Sequence, residues 1–378
     1  MTSGLRAARL GSVAAFTMLI LFGTIAAAPV RAAQMMTPAC NGANLRTSAS
    51  TSGTIKTSLS TGATVVVFEK STVASVATLG GAPGDRAVTL LEPEMTRGLI
   101  DAVVLSGGSL YGLDAAGGAT SVLCAQGKGA QFGGLTLPVA VQAILFDLMN
   151  GGEKDWLKEP MKRRPPYWEF GRDAALAAAK DFVLGSVGAG LGGTTVNLKG
   201  GLGSTSMRTR SGHTVGALTA VNAVGAATIG NGPHFWAAPY EQNGEFGGRG
   251  WPARMPDDAL TLRYKGQAAP VTPATATTIA LVATDATLTK AECKRLAIMA
   301  NDGLARALRP VHAPNDGDTV FAAATGQIAG AIDPHVLTEL GSAAADCLAR
   351  AVARGVYEAT ALPYGNSLPD WTQRFGGQ

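Results

Sequence analysis

Short apolar runs, separated by segments rich in turn-forming residues, recur along the chain and predict β-strands. The clearest is Thr277–Ala286, a β-branched and apolar run that follows a loop rich in alanine, proline and threonine. Comparable runs at 63–68, 102–105, 215–224 and 319–324 predict further strands. The run from Thr277 has no regular polar positions, which indicates a strand buried in the core.

Three segments show the spacing of three to four residues between apolar positions that predicts an amphipathic helix. The first follows Ser109, which would cap a helix over residues 110–124. The second opens with Thr289 and Glu292, a pair that forms a capping box, and the last begins after Asp333. Strands and helices come in clusters rather than in strict alternation. This order favours a layered α+β fold over a purely parallel sheet.

The composition allows a large buried core, since 46% of the 378 residues are apolar and only 15% are charged. Near the N-terminus, Arg6 and Arg9 precede an apolar stretch over residues 13–28, and a cut after Ala32 would follow. We therefore expect a signal peptide over 1–32, export to the periplasm if the cell has an outer membrane, and no membrane contact afterwards. The alternative is an uncleaved anchor, although a spanning helix needs about 20 apolar residues.

The sequence indicates neither a cofactor nor a metal site. The four cysteines show no CxxC spacing, and the four histidines lie far apart without the spacing of metal ligands. Residues 188–193 match the dinucleotide-binding pattern GxGxxG, but no acidic residue follows at the required distance. That loop would expose backbone N–H groups to a ligand or pack tightly. A net charge of +4 without a basic, aromatic face argues against a nucleic-acid partner.

Thr277 stands at the start of a predicted core strand, directly after a loop that can be exposed. A cut after Ala276 would place an α-amino group and a hydroxyl on the same residue. An α-amino group has a pKa of about 7.7–8, so its unprotonated form can act as the base for that hydroxyl. Thr277 is therefore a candidate nucleophile of a self-cleaving hydrolase. The alternative is an ordinary strand start, where threonine is common.

Three other polar residues each have two interpretations. Asn222 interrupts an apolar strand, so its amide could be satisfied by the backbone or could donate to an oxyanion. Asp316 and Asp318 flank a glycine in a tight turn. This turn could simply be solvated, or its two carboxylates could hold a substrate ammonium or orient a nucleophile.

Several short motifs occur together in a fixed order along the chain. They are GGAPG at 80–84, LSGGSLYGLDAA at 105–116, AILFDL at 143–148, VGAG at 187–190, KGGLG at 199–203, VN at 221–222, TTI at 277–279, AR at 305–306 and DGDTVFA at 316–322. Through this ordered set the chain resembles the DmpA-like peptidases. That family includes L-aminopeptidase/D-esterase enzymes, β-peptidyl aminopeptidases and endo-type 6-aminohexanoate-oligomer hydrolases.

The resemblance implies a fold and the self-cleavage of the folded chain. The fold would be a four-layer αββα sandwich of the self-processing, N-terminal-nucleophile-like type, which ornithine acetyltransferases share. The two chains produced by cleavage between Ala276 and Thr277 would stay associated and assemble into tetramers or larger oligomers. The parts of the chain would be a signal peptide (1–32), a flexible mature N-terminus (33–60) and a single catalytic domain (61–378), cut into an α-chain (33–276) and a β-chain (277–378).

The resemblance also implies roles for individual residues. Thr277 would be the nucleophile, and Asn222 would lie at the oxyanion site. The other implied residues are Asp316, Asp318 and Lys199 for catalysis, and Ser109, Tyr111, Phe146 and Gly317 for substrate binding.

Three positions depart from the family pattern. Ala276 stands where relatives often carry asparagine or glycine before the nucleophile. Phe146 occupies a position where some members use a tyrosine. The oligomer hydrolases place their active-site lysine at the position of Asn197, two residues before Lys199. The departure at Asn197 affects the role that Lys199 would take. The departure at Phe146 removes a phenolic donor from the expected site.

The resemblance leads us to expect a hydrolase that processes itself and then acts without a cofactor. Its substrates would be short peptides, amino-acid amides or esters, on which it would work as an aminopeptidase or amidase. The alternatives are a 6-aminohexanoate-type amide-oligomer hydrolase, an acyltransferase of the ornithine acetyltransferase type, and a non-catalytic exported binding protein.

Overall fold

The structure is a computed structural model that describes residues 37–38, 62–267, 276–365 and 367–377. The predicted signal peptide lies outside the described residues, as does the predicted flexible N-terminus apart from 37–38. Among the described helices, none is both long enough and apolar enough to cross a membrane.

Strands form the centre of the molecule. In chain order they are β1 (Thr37–Pro38), β2 (Ala63–Thr78), β3 (Asp85–Arg86), β4 (Leu99–Ser106), β5 (Ala130–Phe132), β6 (Leu135–Leu137), β7 (Ala140–Ile144), β8 (Ala178–Ala179), β9 (Leu202–Arg208), β10 (Thr214–Asn222), β11 (Thr277–Ala286) and β12 (Thr319–Ile328). Eight of these strands form one mixed sheet in the order β3-β7-β4-β2-β12-β11-β10-β9. The short strands β1 and β8 pair with each other, and β5 pairs with β6.

Helices cover the outer face of each half of this sheet. In the described part of the chain they are α1 (Ala115–Ala125), α2 (Tyr167–Leu176), α3 (Lys290–Ala307), α4 (Pro334–Tyr357) and α5 (Trp371–Phe375). The capping box predicted for α3 is confirmed, because the N–H of Glu292 donates to the Thr289 hydroxyl and the N–H of Thr289 donates to the Glu292 carboxylate. Asp333 caps α4 by accepting the N–H of Val336 at 2.8 Å.

The long strand β2 joins the two halves of the sheet. Its first part, up to Val67, pairs antiparallel with β4. The register then shifts between Val67 and Thr72, and the part from Val73 onward pairs antiparallel with β12 on its other edge. An irregularity of this kind bends a strand and increases its twist. The sheet can therefore fold over on itself instead of lying flat.

Three clusters of buried apolar side chains define four layers. One cluster lies between α1, α2 and the half of the sheet with β2 and β4. Another lies between α3, α4 and the half with β10, β11 and β12. The central cluster joins the inner faces of both halves: Ile279 and Leu281 of β11 belong to it, whereas Ala280 and Val282 face the helices. The predicted αββα sandwich is thus confirmed, and a single folded sheet supplies both of its inner layers.

The segment after β4 differs from its prediction. The sequence predicts a helix over 110–124 capped by Ser109, whereas the structure has a 3-10 turn at Ser109–Asp114 before α1 begins. Ser109 has a φ of 52°, in the left-handed region, and makes no capping bond through its side chain. Its N–H instead donates to the carbonyl of Leu145 at 3.0 Å. The predicted cap is wrong because this tertiary contact holds the backbone in another conformation.

Glycine allows β9 and α4 to lie in close contact. A Cβ on Gly203 would overlap the carbonyl oxygen of Ala351 and the backbone nitrogen of Gly355 in α4. The separation between this strand and this helix is therefore one that only glycine permits.

We expect Gly203→Ala to lower the free energy of unfolding by about 3 kcal/mol, because the added Cβ must push α4 away from β9. The matched control is Gly98→Ala, since a Cβ on Gly98 meets no atom within 4 Å. Urea denaturation followed by circular dichroism measures both changes. Equal unfolding midpoints for the two variants would contradict the close contact.

Candidate active site

The ends of three neighbouring strands meet at one edge of the folded sheet. In the antiparallel pair β10 and β11, Asn222 at the end of one strand lies opposite Thr277 at the start of the other. Strand β12 runs parallel to β11, and residues 316–318 lead into it. A bridge between Ala276 and Asp316 extends the parallel pairing. The sheet register thus brings together predicted site residues from three separate segments.

The Thr277 hydroxyl is buried against the peptide bond that precedes it. It donates a hydrogen bond to the carbonyl oxygen of Ala276, and the same oxygen accepts the N–H of Gly317 at 3.3 Å. A Cβ on Gly317 would lie 2.6 Å from Thr277 Oγ1, so glycine is needed to leave room for the hydroxyl. The Thr277 hydroxyl and the Gly317 N–H therefore both contact the Ala276 carbonyl group.

Asp318 is fully buried and accepts hydrogen bonds from two segments. Its Oδ1 accepts the N–H of Thr278 at 2.7 Å. Its Oδ2 accepts the backbone N–H of His312 at 3.1 Å and lies 2.8 Å from the ring Nδ1 of the same histidine. The carboxylate therefore fixes the residue that follows the candidate nucleophile. His312 has a φ of 56° and contacts Asp318 because the loop before the 316–318 turn folds back toward it. The sequence gives no sign of this contact.

Asp316 is also buried, which excludes the solvated turn that the sequence left open. Burial, together with the charge of Asp318 and a hydrogen bond with it, raises the pKa of Asp316 to about 8. The positive charge of Lys265 and the N–H of Gly317, which donates to Oδ1 at 3.1 Å, act in the opposite direction. A carboxyl group whose pKa lies near neutral pH can take up and release a proton during a reaction.

The side-chain amide of Asn222 has a defined orientation. Its Oδ1 accepts the N–H of Thr194 at 3.1 Å and a hydrogen bond from Lys265 Nζ at 2.8 Å. Its Nδ2 donates to the carbonyl of Phe146 at 2.8 Å. Since Oδ1 is surrounded by donors, Nδ2 is the atom of this side chain that can donate to a developing negative charge.

Lys265 is a residue of this site that the sequence analysis missed. It lies in the proline-rich stretch before the candidate cleavage position, where a lone lysine carries no recognisable signal. Its ammonium donates to the carbonyl of Thr194 at 3.0 Å and to O and Oδ1 of Asn222 at 3.2 and 2.8 Å. Burial lowers the pKa of Lys265 to about 7, although the charge of Asp316 acts in the opposite direction.

Lys199 lies in the neighbouring glycine loop. Its ammonium donates to the carbonyls of Gly190, Gly193 and Gly200 at 3.1, 2.7 and 2.5 Å. Burial lowers the pKa of Lys199 to about 7, and the charge of Asp147 partly opposes this effect. In the described part of the chain, the hydrogen bonds of this ammonium all go to the loop. The GxGxxG segment therefore presents carbonyl groups to a buried cation.

The four predicted substrate-binding residues lie in two places. Gly317 lies against the candidate nucleophile. Phe146 contacts the site through its carbonyl, and Ser109 is its neighbour, because the N–H of Ser109 donates to the carbonyl one residue earlier. Tyr111 follows on the same 3-10 turn, is 42% exposed, and packs edge-on against Trp156 with ring centroids 4.9 Å apart.

Among the described residues, no cluster of three or more histidine, cysteine, aspartate or glutamate side chains could hold a metal ion. The groups gathered near Thr277 are instead a hydroxyl, two carboxyls, an amide, an ammonium and a backbone N–H. These are the groups that acyl transfer uses to supply a nucleophile, move a proton and stabilise an oxyanion.

Comparison with known sequences agrees with this chemistry. The profile of peptidase family S58 matches residues 43–367 of the chain. An uncharacterized aminopeptidase of Mycobacterium tuberculosis is 40% identical over 324 residues, which cover 83% of this chain and 90% of that protein. An uncharacterized aminopeptidase of Mycobacterium leprae is 38% identical over 332 residues, which cover 83% of this chain and 86% of that protein.

Two solved structures share the fold. A Burkholderia sp. β-aminopeptidase superposes with a TM-score of 0.59 at 20% identity, covering 84% of this chain and 85% of that chain. The L-aminopeptidase D-Ala-esterase/amidase from Ochrobactrum anthropi, described as a variant of the Ntn hydrolase fold, superposes with a TM-score of 0.56 at 20% identity, covering 83% of each. These matches confirm the resemblance to the DmpA-like enzymes. The chain therefore belongs to peptidase family S58 and is a hydrolase of peptide bonds.

Proposed function

We propose that the chain cleaves itself between Ala276 and Thr277 and then acts as an aminopeptidase with Thr277 as its nucleophile. The observation that supports this most directly is the contact of the Thr277 hydroxyl with the Ala276 carbonyl, whose oxygen also accepts the N–H of Gly317. The hydroxyl that attacks this carbonyl group is then available, beside a new α-amino group, to attack a substrate.

In the first stage, Thr277 Oγ1 attacks the carbonyl carbon of Ala276. The hydroxyl proton passes to the departing nitrogen, so the peptide bond becomes an ester. Water then opens the ester, which releases the carboxyl group of Ala276 together with the hydroxyl and α-amino groups of Thr277. The N–H of Gly317 stabilises the negative charge on the carbonyl oxygen. Asp316, which is bridged to Ala276, assists the proton transfer.

In the second stage, the free α-amino group of Thr277 takes the proton from its own hydroxyl, which attacks the substrate carbonyl. Nδ2 of Asn222 donates to the oxyanion that forms. Asp316 faces the substrate's ammonium, and Asp318 keeps Thr278, and with it the nucleophile, in place. The α-ammonium group then gives this proton to the leaving nitrogen, the C–N bond breaks, and water hydrolyses the resulting acyl-enzyme.

The proposed substrates carry a free amino group on the acyl residue. The fold is shared with a β-aminopeptidase and with an L-aminopeptidase D-Ala-esterase/amidase, which supports testing short peptides, amino-acid amides and esters. A panel of aminoacyl-p-nitroanilides with β-alanyl and D-alanyl members would identify the preferred acyl group. Dominant transfer of the acyl group to an added amine would favour the acyltransferase alternative. Preferential cleavage of 6-aminohexanoate oligomers would favour the oligomer hydrolase.

Export and assembly remain predictions from the sequence. We propose that residues 1–32 direct export, and that the α- and β-chains stay together in a tetramer or a larger oligomer. Edman sequencing of the mature protein and light scattering test these two points.

We expect Thr277→Ala to give an uncut and inactive protein, because the variant lacks the oxygen that attacks in both stages. Thr277→Ser is the matched control, since it keeps a hydroxyl and should still cut and hydrolyse. Denaturing electrophoresis and N-terminal sequencing are the measurements. Cleavage would produce a fragment of residues 277–378 with slightly more than a quarter of the mass of the 38.3 kDa chain. Activity retained by Thr277→Ala would disprove the nucleophile.

We expect Asn222→Ala to reduce kcat by about a hundredfold to a thousandfold, which is the usual effect of removing one oxyanion donor. Rates are normalised to the cleaved fraction, because slow processing would also reduce activity. Asn301→Ala is the control: this buried asparagine donates to the carbonyl of Ala297 within α3, away from the site. A kcat for Asn222→Ala equal to that of the control would exclude Asn222 as an oxyanion donor.

We expect Lys199→Met to lower the free energy of unfolding by about 3 kcal/mol, because three buried carbonyls lose their donor. Lys158→Met is the control, since Lys158 is exposed and pairs with Asp155 at the surface. Urea denaturation gives the stability, and kcat is measured on the folded fraction. Wild-type stability combined with a large loss of kcat would instead place Lys199 among the catalytic residues.

A further inference from the structure

A buried ammonium lies in the site without a place in the two stages described above. Lys265 precedes the proposed cut and is fixed at its backbone, where its N–H donates to the carbonyl of Val224 at 3.0 Å. Val224 lies two residues beyond the end of β10, so this bond returns the proline-rich stretch to the strand that carries Asn222. Lys265 would therefore remain docked on the α-chain side after cleavage.

The ammonium of Lys265 is committed to protein acceptors. It has three protons, and the structure shows three acceptors: the carbonyl of Thr194, the carbonyl of Asn222 and the Oδ1 of Asn222. A substrate carboxylate would have to displace one of these bonds. The arrangement is therefore suited to holding other groups in position, and less suited to binding a substrate.

The bond to Asn222 determines which way that amide points. With Lys265 and the Thr194 N–H both facing Oδ1, a flipped amide would bring its NH₂ group against an ammonium and an N–H donor. Bonds between an ionised donor and an oxygen are roughly twice as strong as neutral ones. The observed orientation directs Nδ2 toward the Phe146 carbonyl, away from the two donors that face Oδ1.

The charge of Lys265 also acts on the carboxyl groups of the site. Asp316 attracts it, as does Asp147 more weakly, while Lys199 repels it. Lys265 bonds to Asn222, whose ladder partner is Thr277, and Asp316 is bridged to the residue before Thr277. Within this arrangement the charge of Asp318 raises the pKa of Asp316, whereas the charge of Lys265 lowers it. Removing the lysine would therefore raise the pKa of Asp316 further.

We propose that Lys265 is a positioning residue of the active site, which orients the Asn222 amide and supplies the positive charge that faces Asp316. This proposal rests on the function proposed above. It adds a residue from the loop before the cut to the strand ends and the 316–318 turn that carry Asn222, Thr277 and Asp316.

The test compares Lys265→Met and Lys265→Arg with the matched control Lys290→Met. Lys290 also donates to two backbone carbonyls, those of Met95 and Arg97, but at the start of α3. On an aminoacyl-p-nitroanilide, Lys265→Met should lose about tenfold to a hundredfold in kcat with little change in KM. Lys265→Arg should restore most of that loss, and Lys290→Met should match the wild type.

The pH profile separates positioning from a loss of structure. In Lys265→Met the limb of the kcat profile that Asp316 sets should move to higher pH by about one unit, because a neighbouring cation has been removed. Lys265→Arg should return this limb of the profile to its wild-type pH. An unchanged profile, or a kcat equal to that of the wild type, would overturn the proposal.

A readout that does not need activity keeps the proposal separate from the proposed function. In the Thr277→Ala chain, labelled with ¹⁵N at asparagine side chains, adding Lys265→Met should shift the Asn222 amide resonances, and adding Lys265→Arg should restore them. Unchanged resonances would overturn the orienting role. An inactive wild type with shifted resonances would leave the positioning intact and refute the aminopeptidase function instead.

Discussion

The hydrogen-bonded register of β10, β11 and β12 is the constraint on which the proposed active site depends. Asn222 and Thr277 are opposite partners in one antiparallel ladder, and the 316–318 turn enters the parallel neighbour. Because side chains alternate along a strand, a slip of one residue would turn each side chain to the opposite face. Both faces of β11 are packed with apolar side chains, so such a slip would disrupt two cores at once. The stability of the sandwich therefore keeps the residues of the proposed site in register.

Within that frame the protein buries several ionisable groups close together, and each has a compensating partner. Lys199 is surrounded by glycine-loop carbonyls, Lys265 by the carbonyls and amide near Asn222, and Asp318 by N–H donors. Burial of a charge is costly unless such partners are present. The result is a set of groups, Asp316 and the two lysines, whose pKa values lie between about 7 and 8. Proton transfer at neutral pH is easiest for groups of this kind.

Much of the fold could be predicted because its signals are local. The continuous apolar character of Thr277–Ala286 and the caps at Thr289 and Asp333 lie within a few residues of the elements they define. Strand β2 was predicted too short, ending at Phe68, since the exposed residues 69–71 interrupt its pattern at the register shift. The strand continues because pairing with β12, a distant segment, makes up for those polar positions.

The sequence by itself determined the layered class of the fold and the candidates Thr277, Asn222, Asp316 and Asp318, because each stands out against its neighbours in the chain. Only the tertiary structure decided what surrounds them. Lys265 joins the site through contacts with Thr194 and Asn222, which lie 71 and 43 residues away in the chain. His312 meets Asp318, and Lys199 meets the glycine loop, over shorter separations, because those loops fold back on themselves. The folded path of the chain supplies the burial and the hydrogen-bond partners that give a polar side chain its task, so the order of residues in the sequence does not reveal them.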